Sequence, residues 1–232
     1  MKKVVVFALL AALAGTSAFA GDAAAFSDIG FSKDGKTYIF GEYGKIDKKF
    51  QAWAEIYAVD VEKNAFVPNG IYKTSPSAAT ASISGKGAYD SLFKHADTKL
   101  KAYNYAPSDP ARLLYVKEES APTNEIYFKD FESSDEDEEI FYHIKLIPTY
   151  MGKGVGVSSK YYIEMAKEDE DGNVLKSWRV GNPEYVRKGI SSYQIERIFT
   201  DNSKRSLVFV IQKTQEDETG TSIRYMVETV RF

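Results

Sequence analysis

Two histidines, His95 and His143, are the side chains that could serve as the base of a hydrolytic triad. Such a triad also needs an activated serine or cysteine. The sequence has no cysteine, and it has no Gly-x-Ser-x-Gly nucleophile elbow. Structural zinc sites are built mostly from cysteine and histidine, so this composition does not supply one. We therefore predict no catalytic, metal-binding or cofactor-binding residues, and no cofactor.

Carboxylates are abundant, with 33 Asp and Glu in the chain, and they could act in pairs. A carboxylic acid and a carboxylate flanking a sugar linkage hydrolyse glycosidic bonds. Nothing in the sequence singles out such a pair. Glu55 and Glu125 occupy matching positions in two similar segments, and we attribute this match to the geometry of strand ends. The acidic run Glu132–Glu139 is interpreted as a solvated loop, with weak calcium binding as the alternative.

A partial calcium-loop pattern lies further along the chain. Asp169, Asp171 and Asn173 have the spacing of the first ligands of an EF-hand loop. The glycine and the glutamate that should follow are replaced by Val174 and Val180. The segment is therefore predicted to be a hairpin turn.

Aromatic residues make up 14% of the chain, with 16 Tyr and 14 Phe. This excess favours pleated, half-buried β structure, and it also fits a surface that binds sugars or proteins. If an aromatic interaction face exists, the first residues to test are Trp53 and Trp178 with Tyr43 and Tyr57. Packing in the core is the alternative role for the same four side chains.

The N-terminus has the three zones of an export signal. Lys2 and Lys3 are followed by the apolar run Val4–Ala14, and a small-x-small pattern ends at Ala20. The apolar run is shorter than the roughly 20 residues needed to span a bilayer. We predict a signal peptide over residues 1–20, cleavage between Ala20 and Gly21, a single β-rich domain over 21–232, and a periplasmic or secreted location.

The remaining composition narrows the classes of partner. The chain has a formal net charge of −3, and phosphate binding needs a basic face, so nucleic acid is not expected as a partner. No segment after the leader has 18 consecutive apolar residues, so no transmembrane segment is predicted in the mature chain. A protein or another envelope component is the expected partner.

Turn signals separate short runs of aromatic and β-branched residues, which predicts strands. The Asp34-Gly35 dipeptide predicts a hairpin turn, and Pro148 is expected to close the strand before it. Later strands are predicted over Trp53–Val61, Ala65–Tyr72, Leu113–Lys117, Glu125–Phe131, Ile140–Ile147, Tyr161–Ala166, Val174–Val180, Ile190–Phe199, Ser206–Lys213 and Ser222–Arg231.

One segment has helical periodicity instead. Apolar residues at spacings of three and four predict an amphipathic helix over Ala88–Ala102. The Ser-, Ala- and Gly-rich stretch Ser75–Gly87 before it is predicted to be a loop. We expect the apolar stripe of the helix to pack on a sheet.

Three segments share a pattern in which two aromatic residues flank an Asp or Asn turn and a Tyr-containing strand follows. They begin at Phe31, Tyr105 and Phe199. Each predicts a β-meander, and because one meander cannot bury its own apolar face, such units are expected to stack. The first unit, with Ser32-x-Asp34-Gly35-Lys36 and Ile56-Tyr57, resembles the repeat of TolB-type β-propellers.

The helix and the unequal separation of the units argue against a regular ring. We therefore expect an all-β fold of mainly antiparallel, propeller-blade-like meanders, forming an incomplete or irregular propeller in which the terminal segments pair. A β-sandwich is the alternative.

Over Phe31–Gly35, Phe40–Gly44 and Ala54–Val61 the chain is similar to a family of predicted secreted bacterial proteins, domain of unknown function 2259. The resemblance implies export and a shared fold but no activity. We expect an exported, non-enzymatic interaction module of the periplasm or cell envelope. The alternative is an envelope or glycan hydrolase that uses paired carboxylates.

Overall fold

The computed structural model describes residues 22–46, 48–118, 124–218 and 220–232. The predicted leader and its cleavage site between Ala20 and Gly21 lie outside these residues. The described chain is mainly β with one α-helix, α1, at Gly85–Lys101. Its strands are β1 Asp22–Ala23, β2 Ala25–Ser32, β3 Thr37–Ile46, β4 Gln51–Asp60, β5 Ala65–Thr74, β6 Tyr105–Ala106, β7 Leu113–Val116, β8 Glu125–Lys129, β9 Phe141–Met151, β10 Ser158–Glu168, β11 Val174–Val180, β12 Arg187–Lys188, β13 Ile190–Thr200, β14 Ser206–Asp217 and β15 Gly220–Arg231.

The strands form three sheets. Sheet I has the order β6-β2-β3-β4-β5, and sheet II has the order β1-β15-β14-β13-β7. Sheet III has the order β8-β9-β10-β11, with β12 also paired to β10. Pairing is antiparallel except between β1 and β15, which run parallel. The N-terminal strand of the described chain therefore pairs with the C-terminal one, as expected for the terminal segments.

Three apolar cores hold these layers together. The first lies between α1 and sheet I and includes Ile39, Ile56 and Leu100. The second lies between sheets I and II, and the third lies between sheets II and III. Sheet II is thus covered on both faces, which explains why Leu207–Ile211 in β14 is an unbroken buried apolar run. The prediction of an all-β, mainly antiparallel fold with one helix is confirmed.

Helix α1 begins earlier than predicted. The Ser84 hydroxyl accepts a hydrogen bond from the Gly87 N–H at 3.0 Å and caps the first turn. Gly85 packs so closely that a Cβ there would stand 2.8 Å from the Gly44 carbonyl oxygen. Gly85, one of the glycines that indicated a loop, therefore allows close packing of the helix on sheet I, and the predicted apolar contact of helix with sheet is confirmed.

Strand β9 continues through Pro148, so the prediction that this proline ends the strand is wrong. Pro148 is paired with Tyr161 of β10. The Leu146 N–H points away from β10, since it donates to the Asn124 carbonyl at 2.8 Å. The nitrogen two residues later points the same way, beyond the end of β8. Within the described residues no strand lies opposite that nitrogen, so the missing N–H of proline costs the described β-ladder no hydrogen bond.

The second predicted meander is also wrong. Its strands Tyr105–Ala106, Leu113–Val116 and Glu125–Lys129 belong to sheets I, II and III respectively. Pro107 and Pro110 interrupt the segment, and each short strand pairs with a different sheet. The segment is thus a strap across all three sheets. The first and third units are meanders as predicted, formed by β2-β3-β4 and β13-β14-β15.

The outer edge of β15 joins sheet I to sheet II. Strand β1 covers this edge only opposite Ser222 and Ile223. Further along, a Glu42 carboxylate oxygen accepts from the Tyr225 N–H at 2.8 Å. The Asn64 amide oxygen accepts from the Thr229 N–H at 2.8 Å. Side chains of sheet I therefore satisfy backbone donors that a neighbouring strand would otherwise bind.

This edge contact yields a stability prediction with a matched control. Asn64 and Asn69 both have positive φ, of 50° and 59°, so glycine suits either backbone. Asn64→Gly removes the acceptor of the Thr229 N–H, and we expect the free energy of unfolding in urea to fall by about 1–3 kcal/mol. Asn69 is exposed, so Asn69→Gly should change the free energy of unfolding by less than about 0.5 kcal/mol. Equal losses in the two variants would contradict the proposed role of Asn64.

Candidate functional site

A groove of about 960 Å³ lies where the three sheets meet. One wall is the β4–β5 hairpin of sheet I, and the other is the 181–188 segment that connects β11 to β13. The floor is formed by β14 and the outer edge of β15. This volume is at the upper end of the roughly 300–1,000 Å³ of ordinary ligand pockets, so the groove can hold a sizeable ligand.

The walls of the groove carry exposed apolar and aromatic side chains. On the β5 side, Phe66 is 51% exposed and stacks on Tyr57 with ring centroids 5.3 Å apart. On the opposite side, Tyr185 is 58% exposed, and the Arg187 guanidinium lies 4.7 Å from its ring centroid. Aromatic side chains held in place by stacking are the residue type that anchors partners at interfaces.

Glu228 lies in the floor, and its carboxylate already has several donors. Its side chain is 5% exposed as a residue and accepts from the Tyr161 hydroxyl at 2.7 Å. Arg187 approaches the same oxygen at 3.4 Å, and the Asn64 side-chain amide donates to the other oxygen. Because these partners occupy it, Glu228 is a structural anion that holds the 181–188 wall to β15.

A second buried carboxyl, that of Glu42, lies behind the floor at 3% exposure. Burial raises the pKa of Glu42 to about 7, and nearby Glu55, which stands opposite it in β4, acts in the same direction. The Tyr57 hydroxyl lies 3.4 Å from the Glu42 carboxylate and also hydrogen-bonds Glu55. Lys73 in turn pairs with Glu55 at 2.8 Å.

Lys213 places a cationic group in the groove. Burial lowers its pKa, and Arg187 and Arg224 nearby act in the same direction, whereas Glu42 opposes them. Within the described residues its ammonium group forms neither an ion pair nor a side-chain hydrogen bond. A desolvated cation without a direct counter-ion attracts anionic groups.

Glu228, Glu42 and Lys213 were not predicted from the sequence. For Glu42 and Lys213, however, the sequence contains a signal. Glu42 follows Tyr38 and Phe40 at alternate positions of β3, and both of those side chains are buried in the core between sheets I and II. Lys213 likewise continues the series of Phe209 and Ile211. A charge in phase with buried positions of a strand indicates either a paired interior group or a site.

The four aromatic residues proposed as an interaction face do not lie on one face. Tyr57 lines the groove. Tyr43 packs on the opposite side of sheet I, with its ring 5.0 Å from that of Tyr89 on α1. Trp53 is buried and donates from its indole nitrogen to Asp22 at 3.0 Å. Trp178 lies in sheet III against Phe232, with ring centroids 4.9 Å apart. A role of these residues in binding stays a prediction, and the geometry assigns groove access to Tyr57.

His143 lies between two carboxylates on sheet III. Its Nε2 is 2.6 Å from Glu125 and its Nδ1 is 2.8 Å from Glu168. Burial by itself lowers the pKa of His143, but the hydrogen bonds to Glu125 and Glu168 raise it overall. A smaller cavity of about 520 Å³, also lined by Trp178, adjoins the ring. Both ring nitrogens are occupied, so this histidine is not placed to activate a nucleophile.

The other acidic segments have local structural partners. In the run Glu132–Glu139, Glu139 pairs with Lys129 at 2.7 Å and Glu132 pairs with Lys204. Asp169 accepts from the Asn173 N–H at 2.7 Å within the predicted hairpin turn. Among the described residues, no group of three or more His, Asp or Glu side chains is arranged to hold a metal ion.

Comparison of the sequence with known proteins identifies the family of the chain. Residues 39–231 match the family described as predicted secreted protein (DUF2259). The chain belongs to this family. No curated protein and no solved structure matches it. The match extends well past the N-terminal segments that carried the sequence resemblance, and within the described residues no helix is both long and apolar enough to cross a membrane.

The raised pKa of Glu42 predicts a pH-dependent effect of Glu42→Gln. Between its unfolded pKa near 4.5 and its folded pKa of about 7, the folded protein retains a proton that the unfolded chain releases. The unfolding free energy of the wild type should therefore fall by about 3 kcal/mol as pH rises through this window. Glutamine does not titrate. In urea unfolding, the unfolding free energy of Glu42→Gln relative to that of the wild type should therefore rise by that amount between pH 4 and pH 8.

The exposed Glu164 of β10 supplies the control for this measurement. The gain of Glu42→Gln between pH 4 and pH 8 should exceed any change that Glu164→Gln shows over the same range. A Glu42→Gln difference from the wild type that does not change with pH would contradict the raised pKa.

The effect of the two neighbouring carboxylates on the pKa of His143 can be measured by NMR titration. We expect its pKa to lie above the usual 6.5 and to fall in Glu168→Gln, because the neutral amide no longer stabilises the imidazolium. An unchanged His143 titration in the variant would show that Glu168 does not act on the ring.

Proposed function

We propose that this secreted-family protein is a non-enzymatic binding module of the periplasm or cell envelope, and that the groove between its sheets receives the partner. The observation that carries the proposal is the groove itself. It combines about 960 Å³ of space, aromatic walls and a cation without a direct counter-ion. Concave sites with apolar walls and a few convergent polar groups are the usual form of binding sites.

The carboxylates of the groove favour binding over hydrolysis. A glycosidase presents two carboxyl groups to the same substrate, about 5–10 Å apart. Among the described lining residues the only carboxylate is Glu228, and it is held by Tyr161, Arg187 and Asn64. Glu42 and Glu55 stand side by side, but Glu42 lies behind the floor and does not line the groove.

Secretion supports the envelope setting of this role. The family is one of predicted secreted proteins, and the leader predicted over residues 1–20 directs the chain to the same side of the membrane. The absence of cysteine leaves nothing to misoxidise in an oxidising compartment. Sheet II, covered on both faces, provides a rigid support for the groove.

Site-specific photo-crosslinking in intact cells tests whether the groove is occupied. We place p-benzoylphenylalanine at Val186, an exposed residue of the groove wall. A matched control carries it at Thr98, which is exposed on α1, on the far side of sheet I. We expect discrete adducts in the envelope fraction after irradiation from the Val186 position and none of the same mass from Thr98.

Two results would contradict the proposal. The first is the absence of adducts from the groove, or identical adducts from both positions. The second is release of soluble fragments from purified cell-wall material by the wild type that is lost in Glu228→Gln, which would favour the hydrolase.

A further inference from the structure

The floor of the groove contains a stretch of unpaired strand edge. Tyr225 and Thr229 direct their N–H groups to the outer side of β15, where Glu42 and Asn64 bind them. Backbone groups two residues apart in a strand point the same way. The N–H and C=O of Val227 therefore point outward as well, between these two occupied positions.

Val227 lines the groove, and its residue is 9% exposed. Among the described residues the strand on the outer side of β15 is β1, which pairs with Ser222 and Ile223 and not with Val227. Among the described residues, no backbone or side-chain group takes up the outward N–H of Val227. A donor and an acceptor side by side at the base of a groove are what a peptide main chain pairs with when it adds to a sheet edge.

The charge of the groove selects the sign of the ligand. The chain as a whole is acidic, with a net charge of −3, yet the lining contains five basic residues and one acidic residue, namely Lys63, Lys73, Arg187, Lys188, Lys213 and Glu228. Lys63, Lys73 and Arg187 each pair with a carboxylate of the protein. Lys188 and Lys213 do not, within the described residues, so they are the cations left for a ligand.

The exposed apolar side chains of the groove walls favour a ligand that also has apolar side chains. Phe66 and Ile71 on one side and Tyr185 and Val186 on the other are all at least 40% exposed. Successive side chains of an extended peptide point to opposite sides. Such a peptide can therefore place its apolar side chains against one surface and its acidic side chains against the lysines.

We propose that the groove binds an extended, acidic and partly apolar polypeptide segment, which pairs through its backbone with Val227 and through a carboxylate with Lys213. This inference rests on the proposed binding function and specifies its ligand. The unpaired strand edge favours a polypeptide over an acidic sugar chain, because a sugar chain has no regular backbone donors and acceptors to match it.

Fluorescence anisotropy with the purified, processed protein tests the ligand class. The probe is a labelled heptapeptide of alternating Glu and Val. Three comparison ligands are its Lys-Val counterpart, the same Glu-Val peptide N-methylated at alternate residues, and a galacturonate oligomer of equal charge. We expect saturable binding of the probe and at least tenfold weaker binding of the other three.

Lysine variants locate the charge contact. Lys213→Met keeps the aliphatic stem and should weaken probe binding at least tenfold. Lys188 is exposed, so the Lys188→Met variant should fold normally. Its affinity for the probe should fall at least threefold, which is a second test. The control is Lys94→Met on the outer face of α1, with binding within twofold of the wild type.

Equal binding of the Lys-Val peptide would overturn the charge assignment, and equal binding of the N-methylated peptide would overturn pairing with Val227. Equal or tighter binding of the galacturonate oligomer would replace the polypeptide with an acidic glycan. A lack of peptide binding together with groove-specific crosslinks in cells would reject this ligand class while leaving the binding function in place.

Discussion

The outer edge of β15 is the constraint on which the rest of the structure depends. A strand edge inside a protein must have its N–H and C=O groups satisfied, and in the described chain no full strand pairs with this edge. Two residues of β1, the carboxylate of Glu42 and the amide of Asn64 share the task. Each comes from the N-terminal part of the chain, so satisfying this edge also joins sheet I to the C-terminal sheet II.

The buried charges near the groove follow from that arrangement. To reach the Tyr225 N–H, Glu42 must lie between two sheets, and burial then favours its protonated form. Lys213 stands close enough to be stabilised by Glu42 but has no direct ion pair within the described part of the chain, so its charge remains directed to the groove. Because side chains cap an edge less completely than a strand would, the outward N–H of Val227 is left without a partner among the described residues. The candidate binding features are therefore consequences of how two sheets were joined.

Local patterns in the sequence predicted most of the elements. Alternation and turn residues located the hairpin at Asp34-Gly35 and the final meander β13-β14-β15, and helical spacing located α1. The errors arose where a distant partner decided the outcome. Pro148 continues β9 because β8 has already ended beside it, and the segment from Tyr105 forms a strap because its short strands pair with three different sheets.

The sequence was sufficient for the all-β class, the helix and the family, since these depend on composition and on periodicities within a few residues. It could not show that Glu42, Lys213 and Val227 come to one region of the fold, because their proximity depends on which strand edges remain unpaired after the meanders form. That choice is made by contacts between residues more than 150 positions apart, such as Glu42 with Tyr225. No local pattern encodes such a pairing, so the groove exists only at the level of the packed sheets.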